Sequence, residues 1–151
     1  MDVGYLRYEY VNNTLAKNTS YKNANTDEVY AAGTYGPFTL KYSYALSSLF
    51  GQIGTDGKST KGSDYIDLSA TFDLGNGFTL VPHVGKQTVK NLSDATYTDY
   101  ALTLNKDLGD GWTASAAYID TNAKSSYYFA PTQQSKNLGK STVVLGVKYT
   151  F

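Results

Sequence analysis

His83 is the only histidine of the chain and the side chain best suited to acid–base chemistry near neutral pH. Asp67 and Asp99 lie in segments that we expect to be strands close to that of His83, so either carboxylate could orient the imidazole. Ser69 and Ser115 are available as nucleophiles by composition only, and a His–Asp pair without a positioned serine is a weak triad. We therefore predict no catalytic residues and no enzyme, and we interpret His83 as a hydrogen-bonded polar residue.

Metal and cofactor sites are not predicted either. One histidine, no cysteine and no clustered carboxylates make a poor ligand set for zinc, and Asp56 and Asp94 lack the spacing of a calcium loop. The glycine pairs in 75–77 and 109–111 indicate turns rather than phosphate cradles, because no helix N-terminus follows them. We expect neither a metal nor a cofactor.

Composition limits the class of protein that can hold these residues. The 151 residues suffice for one domain, and equal numbers of Lys+Arg and Asp+Glu (13 each) do not indicate a nucleic-acid partner. No run of about 18 apolar residues is present, which excludes a transmembrane helix. Met1-Asp2-Val3 does not resemble a signal peptide, and we expect Met1 to replace a removed leader.

Apolar and polar residues alternate along the chain with a period of two, which predicts β-strands. In the last segment Val143, Leu145 and Val147 share one face. The segments with this pattern are 3–11, 27–35, 38–47, 65–74, 78–87, 97–108, 112–120 and 142–151. Pro82 lacks the N–H that a central ladder needs, and we expect a bulge there.

Short and long connections alternate strictly between these segments. The short ones contain Gly36-Pro37, 75–77 and 109–111, whereas the long, polar ones are near 12–26, 48–63, 88–96 and 121–140. Outer-membrane barrels have this arrangement, with short periplasmic turns and long extracellular loops. The sequence therefore predicts a single domain over 1–151, an all-β, transmembrane, antiparallel up-and-down barrel of about eight strands in the bacterial outer membrane.

Aromatic residues mark both ends of the predicted strands, as the two membrane interfaces favour. Those beside the short turns are Tyr35, Phe38, Phe72, Phe78 and Trp112. Those towards the long loops are Tyr8, Tyr10, Tyr44, Tyr100 and Tyr118. The two belts support a membrane-spanning register.

Charged residues fall on the faces that this register turns inward, where they must be paired or hydrogen-bonded. The predicted polar network of the lumen consists of Arg7, Glu9, Glu28, Lys41, Asp67, Asp73, His83, Asp99 and Lys148. Two interpretations remain open. The network either lines an ion path or fills the barrel with salt bridges.

Several short motifs resemble the TorF-like porin family of Gram-negative outer membranes. They are Asp27–Ala32, Tyr35–Tyr44, Tyr65–Leu68, Gly77–Leu80 with His83-Val84-Gly85, Tyr97–Tyr100 with Lys106–Leu108, and Tyr118–Thr121. The resemblance implies a porin-like outer-membrane barrel, and members of that family are usually longer at the N-terminal side. The closing strand Gly146–Phe151 resembles that of outer-membrane proteins, which implies that Tyr149 and Phe151 are recognised by the barrel-assembly machinery.

The expected function is therefore a porin-like barrel that passes ions or small solutes. The alternative is a closed structural barrel that displays its extracellular loops for adhesion or envelope integrity. The lipid bilayer is an expected partner and so is lipopolysaccharide, because lysines gather in or beside the long loops. These are Lys17, Lys22, Lys58, Lys61, Lys90, Lys124, Lys136 and Lys140. The sequence leaves the oligomeric state open.

Overall fold

The computed structural model describes residues 1–18, 20–130 and 136–151, and it is built mainly from β-strands. The strands are β1 (Asp2–Tyr8), β2 (Thr26–Tyr35), β3 (Phe38–Ala45), β4 (Asp64–Ala70), β5 (Phe72–Gly75), β6 (Phe78–Thr88), β7 (Tyr97–Gly109), β8 (Trp112–Thr121), β9 (Phe129–Ala130), β10 (Lys136–Asn137) and β11 (Thr142–Tyr149). Single 3₁₀ turns occupy Leu15–Lys17, Leu49–Gly51, Thr55–Gly57 and Ser93–Ala95. The all-β prediction is confirmed. None of the helical turns in the described ranges is long and apolar enough to cross a membrane.

The main sheet is an antiparallel meander in which the chain adds strands in sequence order. Its order is β1-β2-β3-β4-β6-β7-β8-β11, with β5 also paired to β6, while β9 and β10 form a separate small hairpin. β4 and β5 pair one after the other with the same edge of β6. Ser69 faces His83 and Phe72 faces Leu80, and no register shift separates the two pairs.

The bulge expected at Pro82 is not found at that residue. β6 pairs with β7 without a shift on either side of the pair Pro82–Leu102. On its other side, β4 ends at Ala70 and β5 begins at Phe72, at the level of the proline. The missing N–H of Pro82 therefore coincides with a break in the neighbouring strand, and no extra residue is inserted.

Tight turns close the hairpins at one end of the sheet. Gly75 faces Phe78 across the two-residue turn Asn76-Gly77, whose φ angles are 52° and 74°. Both residues are thus left-handed, as a type I′ turn requires. The other short connections are at 36–37 and 110–111, and the long loops are 9–25, 46–63, 89–96 and 122–141. The predicted alternation of short turns and long loops is confirmed.

The sheet is open, which differs from the closed barrel expected from the sequence. In the described residues β1 pairs only with β2, and β11 pairs only with β8. A barrel needs a ladder of hydrogen bonds between its first and last strands, and no such ladder joins β1 to β11. The sheet therefore has two edges.

The two faces of the sheet differ in polarity, and the apolar face is the more exposed one. Leu40, Leu68 and Val84 lie in one cross-strand row of that face and are 49%, 42% and 38% exposed. The opposite face carries polar residues such as Asp67 and Asp99, which are only partly exposed. This arrangement is the reverse of the one that a water-soluble sheet adopts.

The buried hydrophobic cluster is small and lies among the long loops rather than on the sheet. It consists of Ala45, Leu49, Val89 and Ala95, all less than 5% exposed. Partly buried side chains packed against it are Phe50, Leu92, Tyr127 and Tyr128. The second, third and fourth long loops therefore share one hydrophobic core.

Candidate functional site

Charged residues line up across four strands of the polar face. Lys41 of β3 faces Asp67 of β4, Asp67 faces Gly85 of β6, and Gly85 faces Asp99 of β7. Because side chains at directly facing positions point to the same side of a sheet, these residues form one row on the polar face. His83 lies on the same face, two residues from Gly85.

His83 is placed between the two carboxylates of this row. Its Nε2 lies 2.5 Å from Asp67 Oδ2, and its Nδ1 lies 3.6 Å from Asp99 Oδ1. The hydroxyl of Tyr65 is 3.1 Å from each oxygen of the Asp99 carboxylate and donates to it. The side chains of His83, Asp67 and Asp99 are 22–23% exposed, so the cluster is screened from bulk water but accessible from the polar face. The cluster places an imidazole between two carboxylates and presents carboxylate oxygens on the polar face.

Gly85 makes the Tyr65–Asp99 contact possible, although it was not among the site residues predicted from the sequence. A Cβ at position 85 would overlap the Tyr65 hydroxyl and would lie 3.0 Å from Asp99 Oδ2. The absence of a side chain therefore leaves the space through which Tyr65 crosses from β4 towards β7. A glycine inside an otherwise regular strand was the available signal.

Other members of the predicted network are on the polar face but do not join this cluster. The Lys41 ammonium lies 4.3 Å from the centroid of the Tyr30 ring. Among the described residues, Glu28 has no ion-pair partner within the salt-bridge distance. Asp73 caps a turn by accepting the Gly75 N–H at 2.8 Å. Lys148, near the end of β11, is exposed.

Arg7 and Glu9 differ from their predicted placement on the inward face. Tyr5 faces Val29 on the apolar face, and Arg7, two residues further along β1, faces Asp27. Arg7 therefore lies on the apolar side of the sheet. Arg7 forms ion pairs with Glu9 at 2.7 Å and with Asp27 at 2.9 Å. The cause is the register of β1 against β2, which turns Leu6 rather than Arg7 towards the polar side. This ionic group lies at the long-loop end of the sheet, because β1 ends at Tyr8.

Two cavities adjoin on the polar face beneath the long loops. One of about 370 Å³ is lined by residues that include Tyr8 of β1, Lys41 of β3 and Tyr97 of β7. The other, of about 350 Å³, lies beside β8 and the fourth long loop. Tyr65 and Tyr97 line both cavities. Since strands as distant as β1 and β7 enclose one cavity, the sheet curves around its polar face.

Neighbouring long loops are joined by hydrogen bonds into one continuous layer, which we call the loop layer (9–25, 46–63, 89–96 and the described parts of 122–141). Lys22 N–H donates to Gly51 O at 2.7 Å, which joins the first and second loops. Thr55 N–H donates to Asn91 O at 2.7 Å and joins the second and third. Tyr128 OH donates to Ala95 O at 2.6 Å and joins the third and fourth. These hydrogen bonds between loops were not predicted from the sequence.

The side chains that join the third and fourth long loops differ in how far they are buried. Burial raises the pKa of the Tyr128 hydroxyl above its ordinary value of 10.0, and the nearby Tyr97 and Tyr127 act in the same direction. Lys124 Nζ lies 2.5 Å from Asp94 Oδ1, but this pair is more than half exposed. The tyrosine is therefore the better-shielded link between the third and fourth loops.

The predicted assembly signal lies at the other end of the sheet. The Tyr149 ring is 4.7 Å from the Trp112 ring and 6.2 Å from the Phe151 ring, centroid to centroid. Phe151 is fully exposed. These three rings form an aromatic group beside the turn at 110–111.

A comparison with models of protein families matches the whole chain. The family model described as "Bacterial protein of unknown function (Gcw_chp)" matches residues 1–151. No curated protein and no solved structure is significantly similar to the chain.

Proposed function

Because the chain belongs to the Gcw_chp family of bacterial proteins of unknown function, we propose its role on structural grounds: a porin-like outer-membrane β-barrel whose polar face lines a narrow path for ions or small solutes. The observation that carries the proposal is the reversed polarity of the sheet. Large apolar side chains are exposed on one face, while charged residues occupy the less exposed face. Lipid is the solvent that stabilises such a surface.

The dimensions of the strands support the same role. β6 and β7 contain 11 and 13 residues, and a tilted strand of about 9–11 residues crosses the hydrocarbon layer. The short turns lie at one end and the loop layer at the other, as in barrels with a periplasmic and an extracellular side. The aromatic group of Trp112, Tyr149 and Phe151 then lies at the periplasmic interface, where the assembly machinery would recognise the last strand.

The two sheet edges require a partner in this proposal, because unpaired N–H and C=O groups are not tolerated in lipid. We place β1 against β11, which closes a barrel of about eight strands. The cysteine-free chain allows a direct test with Leu6→Cys combined in turn with single cysteines at positions 143–148. Oxidation should produce an intramolecular disulfide at one position. Crosslinks only between chains, or none at any position, would contradict closure within one chain.

The path itself is tested by single-channel conductance of the refolded chain in a planar bilayer. Wild type should give reproducible steps, and Asp67→Asn should lower the preference for cations because it removes an anion from the path. Asp56→Asn is the matched control, since Asp56 is exposed in the second long loop. An inserted but silent protein, or equal selectivity of the two variants, would contradict a path along the polar face.

A second role is favoured by the loop layer: a structural barrel that presents a fixed extracellular surface for adhesion or envelope integrity. Hydrogen bonds between successive loops hold this surface in one arrangement. Lysines of the loops, including Lys58 and Lys90 around a surface cavity of about 580 Å³, suit lipopolysaccharide phosphates. A silent barrel that binds lipopolysaccharide through these lysines would favour this role over the channel.

A further inference from the structure

The two adjoining cavities of the polar face have aromatic walls that are held in fixed orientations. The Tyr8 ring packs edge-on against Phe50 with centroids 5.2 Å apart, at one side of the 370 Å³ cavity. Tyr97 packs edge-on against Tyr128 at 5.5 Å, where the second cavity begins. Edge-to-face packing fixes ring orientation, and cavities of some 300 Å³ or more hold small organic ligands.

The charge of these walls is predominantly negative. Glu28 and Asp67 line the first cavity, and Asp99 lines the second. Lys41 also lines the first cavity, but its ammonium lies over the Tyr30 ring and forms no ion pair with a carboxylate among the described residues. Glu28 is therefore half-buried without a direct ion pair in the described parts of the protein, and Lys41 attracts it only at longer range.

A half-buried carboxylate without a direct ion pair is stabilised by a ligand that brings a cation into contact with it. Aromatic faces attract the same ligand, because the negative face of the ring quadrupole favours cations. We propose that these cavities bind a small organic ammonium ion, with its ammonium group at Glu28 and its apolar body against the aromatic walls. The proposal deepens the proposed function by naming a solute class, and it rests on that function because it assumes a water-filled polar face.

Calorimetry on the folded 151-residue chain in detergent micelles tests the site without requiring conductance. The probe is benzylamine, and benzyl alcohol and benzoate are its neutral and anionic counterparts. Benzylamine should bind, and each counterpart should bind at least about tenfold more weakly, because only the amine pairs with the carboxylate. Equal binding of benzyl alcohol, or no binding of benzylamine, would overturn the proposal. Binding of glucose instead of benzylamine would assign the cavities to neutral sugars and also overturn it.

Matched substitutions locate the site. Glu28→Gln should weaken benzylamine binding by about tenfold, and Lys41→Gln should strengthen it, because the two variants change the wall charge in opposite directions. Glu9→Gln removes the same charge from outside the polar face and should leave binding unchanged. Unchanged binding in Glu28→Gln would overturn the assignment. Benzylamine binding by a protein that is silent in bilayers would support the ammonium site and contradict the channel. Conductance without benzylamine binding would support the channel and contradict the ammonium site.

Discussion

The hydroxyl of Tyr65 lies over the backbone of Gly85, in the space that any other side chain at position 85 would fill. Through this space Tyr65 reaches Asp99, which lies directly opposite Gly85 on β7. The position of the Asp99 carboxylate beside His83 therefore depends on a residue that has no side chain of its own. The contact links β4 to β7 across the intervening β6.

Gly85→Ala should destabilise the protein by roughly 1–3 kcal/mol, because the methyl group displaces Tyr65 and breaks its hydrogen bond to Asp99. Urea unfolding in lipid vesicles measures the change. Gly33→Ala is the control, since a Cβ at Gly33 meets nothing within 4 Å, and it should be neutral or slightly stabilising. Equal effects of the two variants would show that the space over Gly85 is not needed.

Leu68→Arg should destabilise the protein in lipid by about 2–4 kcal/mol, because Leu68 lies on the exposed apolar face and the arginine would enter the bilayer. Ser69→Arg, one residue further along β4, turns the same side chain towards the polar face and should have a smaller effect. Unfolding in vesicles compares the two variants. Equal stability losses at the two positions would contradict the assignment of the faces.

Tyr128→Phe should loosen the junction of the third and fourth long loops more than Lys124→Met does. The tyrosine variant loses a partly buried hydrogen bond to Ala95 O, worth about 1 kcal/mol, whereas the Lys124–Asp94 pair is exposed and contributes less. Hydrogen exchange of residues 121–130 reports the loosening. The reverse order would show that the ion pair is the stronger link.

The same junction should weaken in alkali. The pKa of Tyr128 is raised by burial, so the folded state prefers the neutral hydroxyl. The stabilisation by this hydroxyl is complete below the unfolded pKa of 10.0 and is lost progressively as pH rises from there through the higher folded value. Between pH 9 and pH 11 the hydrogen-exchange rate of residues 121–130 in wild type should rise by more than the intrinsic exchange rate does. In Tyr128→Phe this excess should be smaller. An identical pH response in both would assign the effect to another group.

The strands followed from the sequence wherever one face was clearly apolar. In β3 Leu40 alternates with Lys41, and in β4 Leu68 alternates with Asp67. This contrast predicted both the strands and the face on which their charged residues lie. β1 lacks that contrast: Leu6 on one face competes with Tyr5 on the other, so only pairing with β2 decides where Arg7 points. A register is a relation between two strands, and one strand with apolar residues on both faces does not define it.

The packing of the loops was beyond sequence reasoning for a related reason. Leu49 and Ala95 carry no periodic signal, since each lies in a single 3₁₀ turn. They are buried because loops far apart in the chain meet at one end of the sheet. The cluster of Asp67, His83 and Asp99 could be predicted in part from the sequence, because its residues were identified on neighbouring strands. The gap at Gly85, which orients the cluster, could not be predicted.

The bonds between successive loops determine what an antibody against this end of the molecule would recognise. Backbone hydrogen bonds join Lys22 to Gly51 and Thr55 to Asn91, so separate stretches of the chain are held side by side at this end of the molecule. The epitopes are therefore discontinuous. Short synthetic peptides copied from single loops would compete poorly for such antibodies, and an insertion in one loop would alter recognition of its neighbours.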